Sequence, residues 1–484
     1  VRFVWLCLWS ISLFSSPCDA QSGRGIVERV AAAMGGAKRV LAVKTIMLRG
    51  AGENYNLGQN VTPDSELPLY DVTTYVRVID FANARWRQDQ TRQPKFPTSN
   101  TNPQRQRTGY DVVAYDITSD TSMRRLGPRP TLDRRAEILY HPIGFVQAAL
   151  AHGARVDEEL IAGVKNRRVR LEVNGERFTM TVDSRTNLPL SIERTIANST
   201  LGDVVLSNDF PRWYAADGVR VPLQIVQSLD RRWKIGDIRF DGVKINGSII
   251  DITIPESVRN AELVPTPVNV AVDSIAPGVW LLAGGSHNSV AIEMKDHLLL
   301  VEAPQSDDRT LAVIRKAESL RPNKPLRAVI NTHHHFDHAG GIRAAMSEGV
   351  AVITHRDNRE FFENLAHRRF TILPDALAKS PKAAMIETVT DRRTISDESR
   401  RVDIYEVRGS AHSATMLIVH LPAEKLLIEA DLFTPPAATV TTPTPQPFAA
   451  NLIENIGRLG LVVDRIVPIH GRVVPFSDLN AAMK

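Results

Sequence analysis

From Gly25 to about Ile254 the chain is built of short runs in which β-branched and aromatic residues alternate with polar ones. That period of two fits strands with one buried face. It predicts strands over residues 45–49, 72–79, 85–91, 168–173, 178–182, 188–195, 219–228 and 233–240, a helix over 26–43 ahead of them and a second helix over 143–152. Asn174-Gly175 separates two of these runs and signals a tight hairpin. Many antiparallel strands with few helices predict an open sheet or half-barrel. Between them, residues 92–135 carry Arg92, Arg105, Arg107, Arg124, Arg125, Arg129, Arg134 and Arg135 among Pro, Thr, Asn and Ser. This stretch reads as a solvated, turn-rich loop, with guanidinium groups suited to an anionic substrate or headgroup.

Beyond Pro265 and Pro267 the pattern changes. Apolar runs at 278–282, 289–293 and 297–301 read as strands, then a helix at 309–320, a strand at 327–330, a helix at 341–347 and a strand at 351–353. Alternating strands and helices predict sheets covered by helices, with loops at strand ends free to carry chemistry. The expected organisation is therefore α+β with two domains: an antiparallel β-rich region over 21–262, a linker at 263–269 and a second domain over 270–484. A length of 484 residues agrees with that division.

The first residues differ from the rest. Arg2 precedes the apolar run from Phe3 to Phe14, followed by Ser15-Ser16-Pro17 and Cys18-Asp19-Ala20. This predicts a secretory signal over 1–20, cut after Ala20, and a periplasmic or secreted bacterial protein with no membrane anchor after cleavage. Both cysteines, Cys7 and Cys18, fall inside it. A mature chain beginning at Gln21 would have no thiol for a disulfide, a nucleophile or a metal. The net charge of +5 is too small to point to a nucleic acid, and a small-molecule substrate is expected instead.

Histidine carries the chemistry. Of 13 histidines only His141 and His152 precede residue 270. The densest segment is Asn331-Thr-His-His-His-Phe-Asp-His-Ala-Gly-Gly341, after an apolar strand and before a helix. In an extended segment His333 and His335 point the same way and can grip one ion. Asp337 and His338 begin the turn and are redirected toward a neighbouring ion. His412, Asp431 and His470 each follow an apolar run, as loop-borne ligands should.

The order HxHxDH, then His, Asp and His-Gly resembles the metallo-β-lactamase superfamily over residues 270–484. The resemblance implies an αββα sandwich and a two-metal hydrolytic site. His333, His335 and His412 would hold one ion, Asp337, His338 and His470 the second, and Asp431 would bridge them. Two divalent ions, foremost Zn2+ with Fe or Mn as alternatives, would share a bridging hydroxide, with Asp337 also orienting it as a catalytic group. Glu302 and Ala430 depart from the family's usual Asp and Gly, which bears on what surrounds the ligands. An Asp at 431, with no Cys, brings the chain closer to thioesterases, lactonases and general hydrolases than to true β-lactamases.

The function expected is an exported hydrolase of an ester, thioester, lactone or amide bond. Two alternatives remain: phosphodiester cleavage or iron-dependent redox work on the same fold, and a carrier of a lipid-like ligand with an auxiliary metal domain. The last follows from a faint resemblance of the N-terminal region to lipoprotein carriers. His334 should face away from the ligands, His355 should lie beside the site and His287 on a loop lining it, while His297, His367 and His420 read as structural. The proline-rich segment 433–448 would shape the pocket or simply connect.

Overall fold

The computed structural model describes residues 17–482 apart from 99, 162, 266 and 437–445, so most of the expected signal segment lies outside the described residues. The first element is a helix, Pro17–Ala33, followed by a second, Ala37–Leu41. The single helix expected over 26–43 is thus two. Gly35 and Gly36 take φ of 116° and 105°, a backbone that ends a helix and that glycine adopts without steric cost.

Among the described residues, thirteen strands between Thr45 and Ile245 form one antiparallel sheet. Strands adjacent in the chain pair with each other except the sixth and seventh, and the first, Thr45–Tyr55, lies between the second, Leu69–Asp80, and the last, Trp233–Ile245. The sheet is therefore closed upon its middle in sequence but ends at two edges, Met123–Arg125 and Arg155–Ile161. Asn174 and Gly175 both have positive φ in the two-residue turn joining Val173 to Glu176, as the hairpin signature requires. Val27 and Val30 of the first helix and Phe145 and Val146 of the helix Pro142–His152 pack with Phe178, Met180 and Ile192 of the sheet into one core.

The arginine-rich stretch is not a loop. It contains the strands Gln104–Asp111, Val113–Ile117 and Met123–Arg125 and the helix Pro128–Ala136. Most of its guanidinium groups are paired within it, among them Arg107 on Asp120 at 2.8 Å, Arg124 and Arg134 on Asp116 at 3.0 and 2.7 Å, and Arg129 on Asp133 at 2.7 Å. Arg92 stacks over the Tyr70 ring at 3.9 Å. Cross-strand and helix-face charge pairing supplies partners in place of the solvent that the loop reading implied. Outside that stretch, Arg77 is likewise paired with Glu137 at 2.8 Å.

From Ala271 the chain forms a seven-stranded and then a six-stranded sheet. Period-two alternation decides what each faces. Leu299 and Val301 join Ile330, Ile404, Val419 and Ile428 in a core shared by both sheets. Leu298 and Leu300 point the other way, onto Val313 and Ala317 of the helix Asp307–Leu320 and Ile342 and Met346 of the helix Ile342–Glu348. The outer face of the second sheet packs Ile418 and Leu427 against Leu452 and Ile456 of the helix Ala449–Leu459. With each such side chain worth about 1.5–3 kcal/mol on full burial, these layers form a rigid platform for the loops at their strand ends.

Two seams join the halves. Asp203 accepts hydrogen bonds from the Thr371 and Ile372 amides at 2.9 and 3.1 Å, and Arg368 pairs with Asp230 at 2.8 Å. The other seam is the loop at 56–68, discussed below.

Candidate metal centre

The buried strand Leu326–Ile330 ends at Asn331, and the next turn of backbone presents His333, His335 and His338, all buried, with Asp337 half-exposed. Only four residues, Phe336–Ala339, are helical here. His412 arrives on the loop before the strand Leu417–Leu421, Asp431 two residues after Leu426–Glu429, and His470 two after Arg465–Pro468. All seven residues singled out from the sequence converge.

Asp431 is the hub. Its Oδ2 lies 2.9 Å from His338 Nε2, 3.0 Å from His412 Nε2 and 3.4 Å from His333 Nε2, while Oδ1 lies 3.0 Å from His470 Nε2. The residue sits at φ +59°, a left-handed backbone that costs a side chain about 1 kcal/mol or more and is kept where the surroundings over-determine it. The buried Glu429 supplies that determination, its Oε2 accepting the amides of Leu432 and Phe433 at 3.0 and 3.2 Å. Burial pushes the Glu429 carboxyl up to about 8.

The second ring nitrogens fix which face each imidazole shows the centre. His338 Nδ1 donates to Glu302 at 2.7 Å and His470 Nδ1 to the Ser286 carbonyl at 2.8 Å, leaving Nε2 of both directed inward. Glu302 itself sits at φ +73° and also accepts the Thr332 amide at 2.7 Å, so this departure from the usual Asp has a defined task. His335 is reversed: Nε2 donates to the Asn60 carbonyl at 3.0 Å, and Nδ1 is buried without a hydrogen-bond partner. Burial, reinforced by neighbouring imidazoles, holds His333 and His335 well below the usual histidine range, in the neutral form that binds metals. Burial also opposes charge on His338, but Asp431 and Glu302 outweigh it and raise the group.

Facing nitrogens 3.3 Å apart, His333 with His412 and His338 with His470, have nothing between them to share except a cation or a proton. The donor atoms fall into two groups, each within 4.8 Å: His333, His335, His412 and Asp431, and His287, Asp337, His338 and His470. The neutral rings of His333 and His335, the carboxylates of Asp337 and Asp431 and the orphaned Nδ1 of His335 fit divalent metal ions.

His287 belongs to the second group, although the sequence placed it only on a lining loop. It is buried, its Nε2 is without a hydrogen-bond partner and lies 3.4 Å from Asp337 Oδ2, and its ring is 4.1 Å from that of His470. The adjacent Asn288 bonds the carbonyls of Pro468 and Gly471 at 3.2 and 2.8 Å, tying this loop to the turn that carries His470. Its only sequence signal was a histidine following a strand. His334 does turn away, meeting Thr415 Oγ1 at 3.1 Å. His355, buried, caps the turn at Asp357 and belongs to neither group. Two further contributors, Gln59 and Asn60, come from the N-terminal half: Gln59 Nε2 donates to Asp337 Oδ1 at 2.7 Å. No sequence signal pointed to them.

Beside the donors lies a cleft of about 330 Å3. Its walls include Val61, Leu67 and Phe96 from the N-terminal half and Leu432, Pro447 and Phe448 from the C-terminal half. The part of the proline-rich segment at 437–445 lies outside the described residues.

Residues 282–470 match the family model of the metallo-beta-lactamase superfamily, a span that holds all seven predicted residues and His287. No curated protein matches the chain. Solved structures similar to it include the DIM-1 metallo-beta-lactamase, at 15% identity over 44% of this chain and 94% of that one with a TM-score of 0.34. A metallo-beta-lactamase from Pontibacter korlensis is 19% identical over 44% and 96%, with a TM-score of 0.33, and one from Hirschia baltica 21% identical over 44% and 95%, with 0.34. The likeness of the N-terminal half to lipoprotein carriers finds no support among these comparisons. Residues 282–470 therefore form a domain of the metallo-β-lactamase superfamily, which marks the protein as a metal-dependent hydrolase.

Proposed function

We propose that the protein is an exported hydrolase with two metal ions, zinc foremost, that cleaves an acyl bond: an ester, thioester, lactone or amide. The observation that carries this reading is the Asp431 carboxylate, met on Oδ2 by His412 and His338 and on Oδ1 by His470. A carboxylate approached from both donor groups is a bridge, so His333, His335 and His412 would hold one ion and Asp337, His338 and His470 the other. When bound, such a pair supplies an activated water at neutral pH and a Lewis acid for the substrate oxygen. The chain's own contribution is orientation: Glu302 and Ser286 aim His338 and His470, and Asp337 is placed to accept a proton beside the cleft.

The two packed sheets with helices outside support an αββα sandwich over 270–484, separated by the 263–269 linker from a domain over 21–262. Substrate class follows from the cleft. Its walls are mainly apolar, Glu66 is their one charge away from the donors, and no Lys or Arg occurs among the described lining residues or between 432 and 448. A phosphodiester would meet no guanidinium there, whereas an acyl group with an apolar arm fits. Export is supported by Arg2 followed by the apolar run from Phe3 to Phe14.

Purified protein is expected to carry two equivalents of zinc and to hydrolyse p-nitrophenyl butyrate or a comparable thioester far faster than bis(p-nitrophenyl) phosphate. His335→Ala should abolish this. Unchanged hydrolysis in that variant, or a preference for the phosphodiester, refutes the reading.

A further inference from the structure

We propose that residues 58–61, carried on the N-terminal sheet, are a working part of the metal centre, with Gln59 positioning Asp337 and the Asn60 carbonyl selecting the nitrogen that His335 presents. This rests on the proposed reading that His335 and Asp337 hold the ions.

The loop at 56–68 joins the paired strands Thr45–Tyr55 and Leu69–Asp80, and its base is closed by Tyr55 opposite Leu69 and by the Asn56 amide on the Pro68 carbonyl at 2.9 Å. Inside, Asn60 is buried and its amide nitrogen bonds the Thr62 carbonyl at 2.5 Å, while the Ser65 hydroxyl and the Thr62 main chain bond each other at 2.9 and 3.0 Å. A loop tied in this way holds its own shape.

Four consecutive residues then address the two ligand-bearing loops. The Gly58 carbonyl accepts the Phe336 amide at 3.1 Å, Gln59 reaches Asp337, the Asn60 carbonyl takes the His335 proton, and the Val61 carbonyl accepts the Ala414 amide at 2.8 Å, two residues past His412. Each polar contact acts on a donor or on a residue within two positions of one. With the Nε2 proton of His335 engaged, Nδ1 alone is available to an ion, opposite to the nitrogens that His338, His412 and His470 present. With Oδ1 of Asp337 engaged, Oδ2 is directed to the second group, where His287 Nε2 lies at 3.4 Å and His338 Nε2 at 3.8 Å. The partners that orient ligand imidazoles and carboxylates usually come from the surrounding catalytic fold; two of them here come from the other half of the chain.

The test uses the full-length protein. Gln59→Met removes the donor at similar length, and zinc affinity by chelator competition together with the visible spectrum of the cobalt form reads the centre directly. The second ion is expected to bind 10–100-fold more weakly, the first unchanged, with an altered cobalt spectrum. On p-nitrophenyl butyrate kcat should fall while KM stays within about twofold. Independently of any variant, cadmium-113 with nitrogen-15 histidine should show coupling to Nδ1 at His335 and to Nε2 at the other four imidazoles. Unchanged affinities and spectrum in Gln59→Met, or coupling through His335 Nε2, overturn the proposal. If the unsubstituted protein binds two zinc ions but cleaves no acyl probe, the substrate class fails, and the affinities and couplings still decide the role of the loop.

Discussion

Gly58→Ala probes the seam between the halves at its tightest point. Gly58 has φ +83°, and a Cβ there would lie 2.3–2.6 Å from three carbons of the Phe336 ring. Retreat of the ring into the adjoining cleft of about 110 Å3 would break its 19° stack on Phe361 and pull on the amide held by the Gly58 carbonyl. A left-handed alanine costs ~1–2 kcal/mol, and overpacking of a filled contact adds about 1–3 kcal/mol. The expected destabilisation is therefore roughly 2–5 kcal/mol, concentrated where the halves meet. Because Phe336 sits between His335 and Asp337, any relief of the clash moves two proposed ligands. Calorimetry should show a lower or split unfolding transition, and zinc competition a weakened centre, by at least tenfold. A variant within 0.5 kcal/mol of the parent (roughly the size of a neutral surface change) that keeps its zinc affinity would refute the argument that this contact sets the position of the 335–337 turn.

Two further outcomes follow from the structure. His287→Leu keeps the volume but removes the nitrogen facing Asp337, and should weaken binding of the second ion by about 10–100-fold in zinc competition; an unchanged affinity removes His287 from the centre. His141, buried beside Phe81 in the N-terminal half, is depressed to about 3 by burial and by Arg77. A base depressed in the folded state adds stability that is complete above the unfolded value near 6.5 and is lost as pH falls toward 3. At about 1.4 kcal/mol per unit the loss approaches on the order of 5 kcal/mol. His141→Asn, which keeps an acceptor for the Ile143 amide that His141 now caps at 3.3 Å, should flatten the decline of stability between pH 6.5 and 3 in urea titrations; an equal slope in both proteins excludes His141 as its source.

What the sequence revealed of this site depended on how close together its parts lie in the chain. His333, His335, Asp337 and His338 were legible because one turn of backbone carries them, and His412, Asp431 and His470 because each follows a largely apolar run. Their orienting partners were not. Glu302 acts on His338 from 36 residues away and Gln59 on Asp337 from 278, and a glutamine or a main-chain carbonyl has no composition signal at all. The fold shows the same division. Val-, Ile- and Leu-rich runs marked inner strands of the two C-terminal sheets, such as Leu298–Val301 and Leu426–Glu429, which are buried on both faces. The strand Gln104–Asp111 reads QRQRTGYD and shows no alternation, because its partners are cross-strand side chains such as Gln90 on Gln106 at 2.7 Å rather than a core.

The strand Gly202–Ala216 was hidden by Pro211, which removes a ladder donor and argues against a strand in the sequence. The pairing accommodates it where the register shifts between Asp209 and Arg212, so the proline occupies an irregularity instead of the ladder. That strand also begins at the other seam, where Asp203 receives the amides of Thr371 and Ile372. The thirteen-stranded sheet thus grips the C-terminal layers twice, once near the helix Arg359–His367 and once at the ligand turn. Two separated attachments resist rotation in a way one cannot, and the 56–68 loop needs that constraint to keep 3 Å contacts with His335 and Asp337. The size of the N-terminal sheet therefore has a mechanical reading: it is the frame that holds a four-residue brace in register with the metal centre.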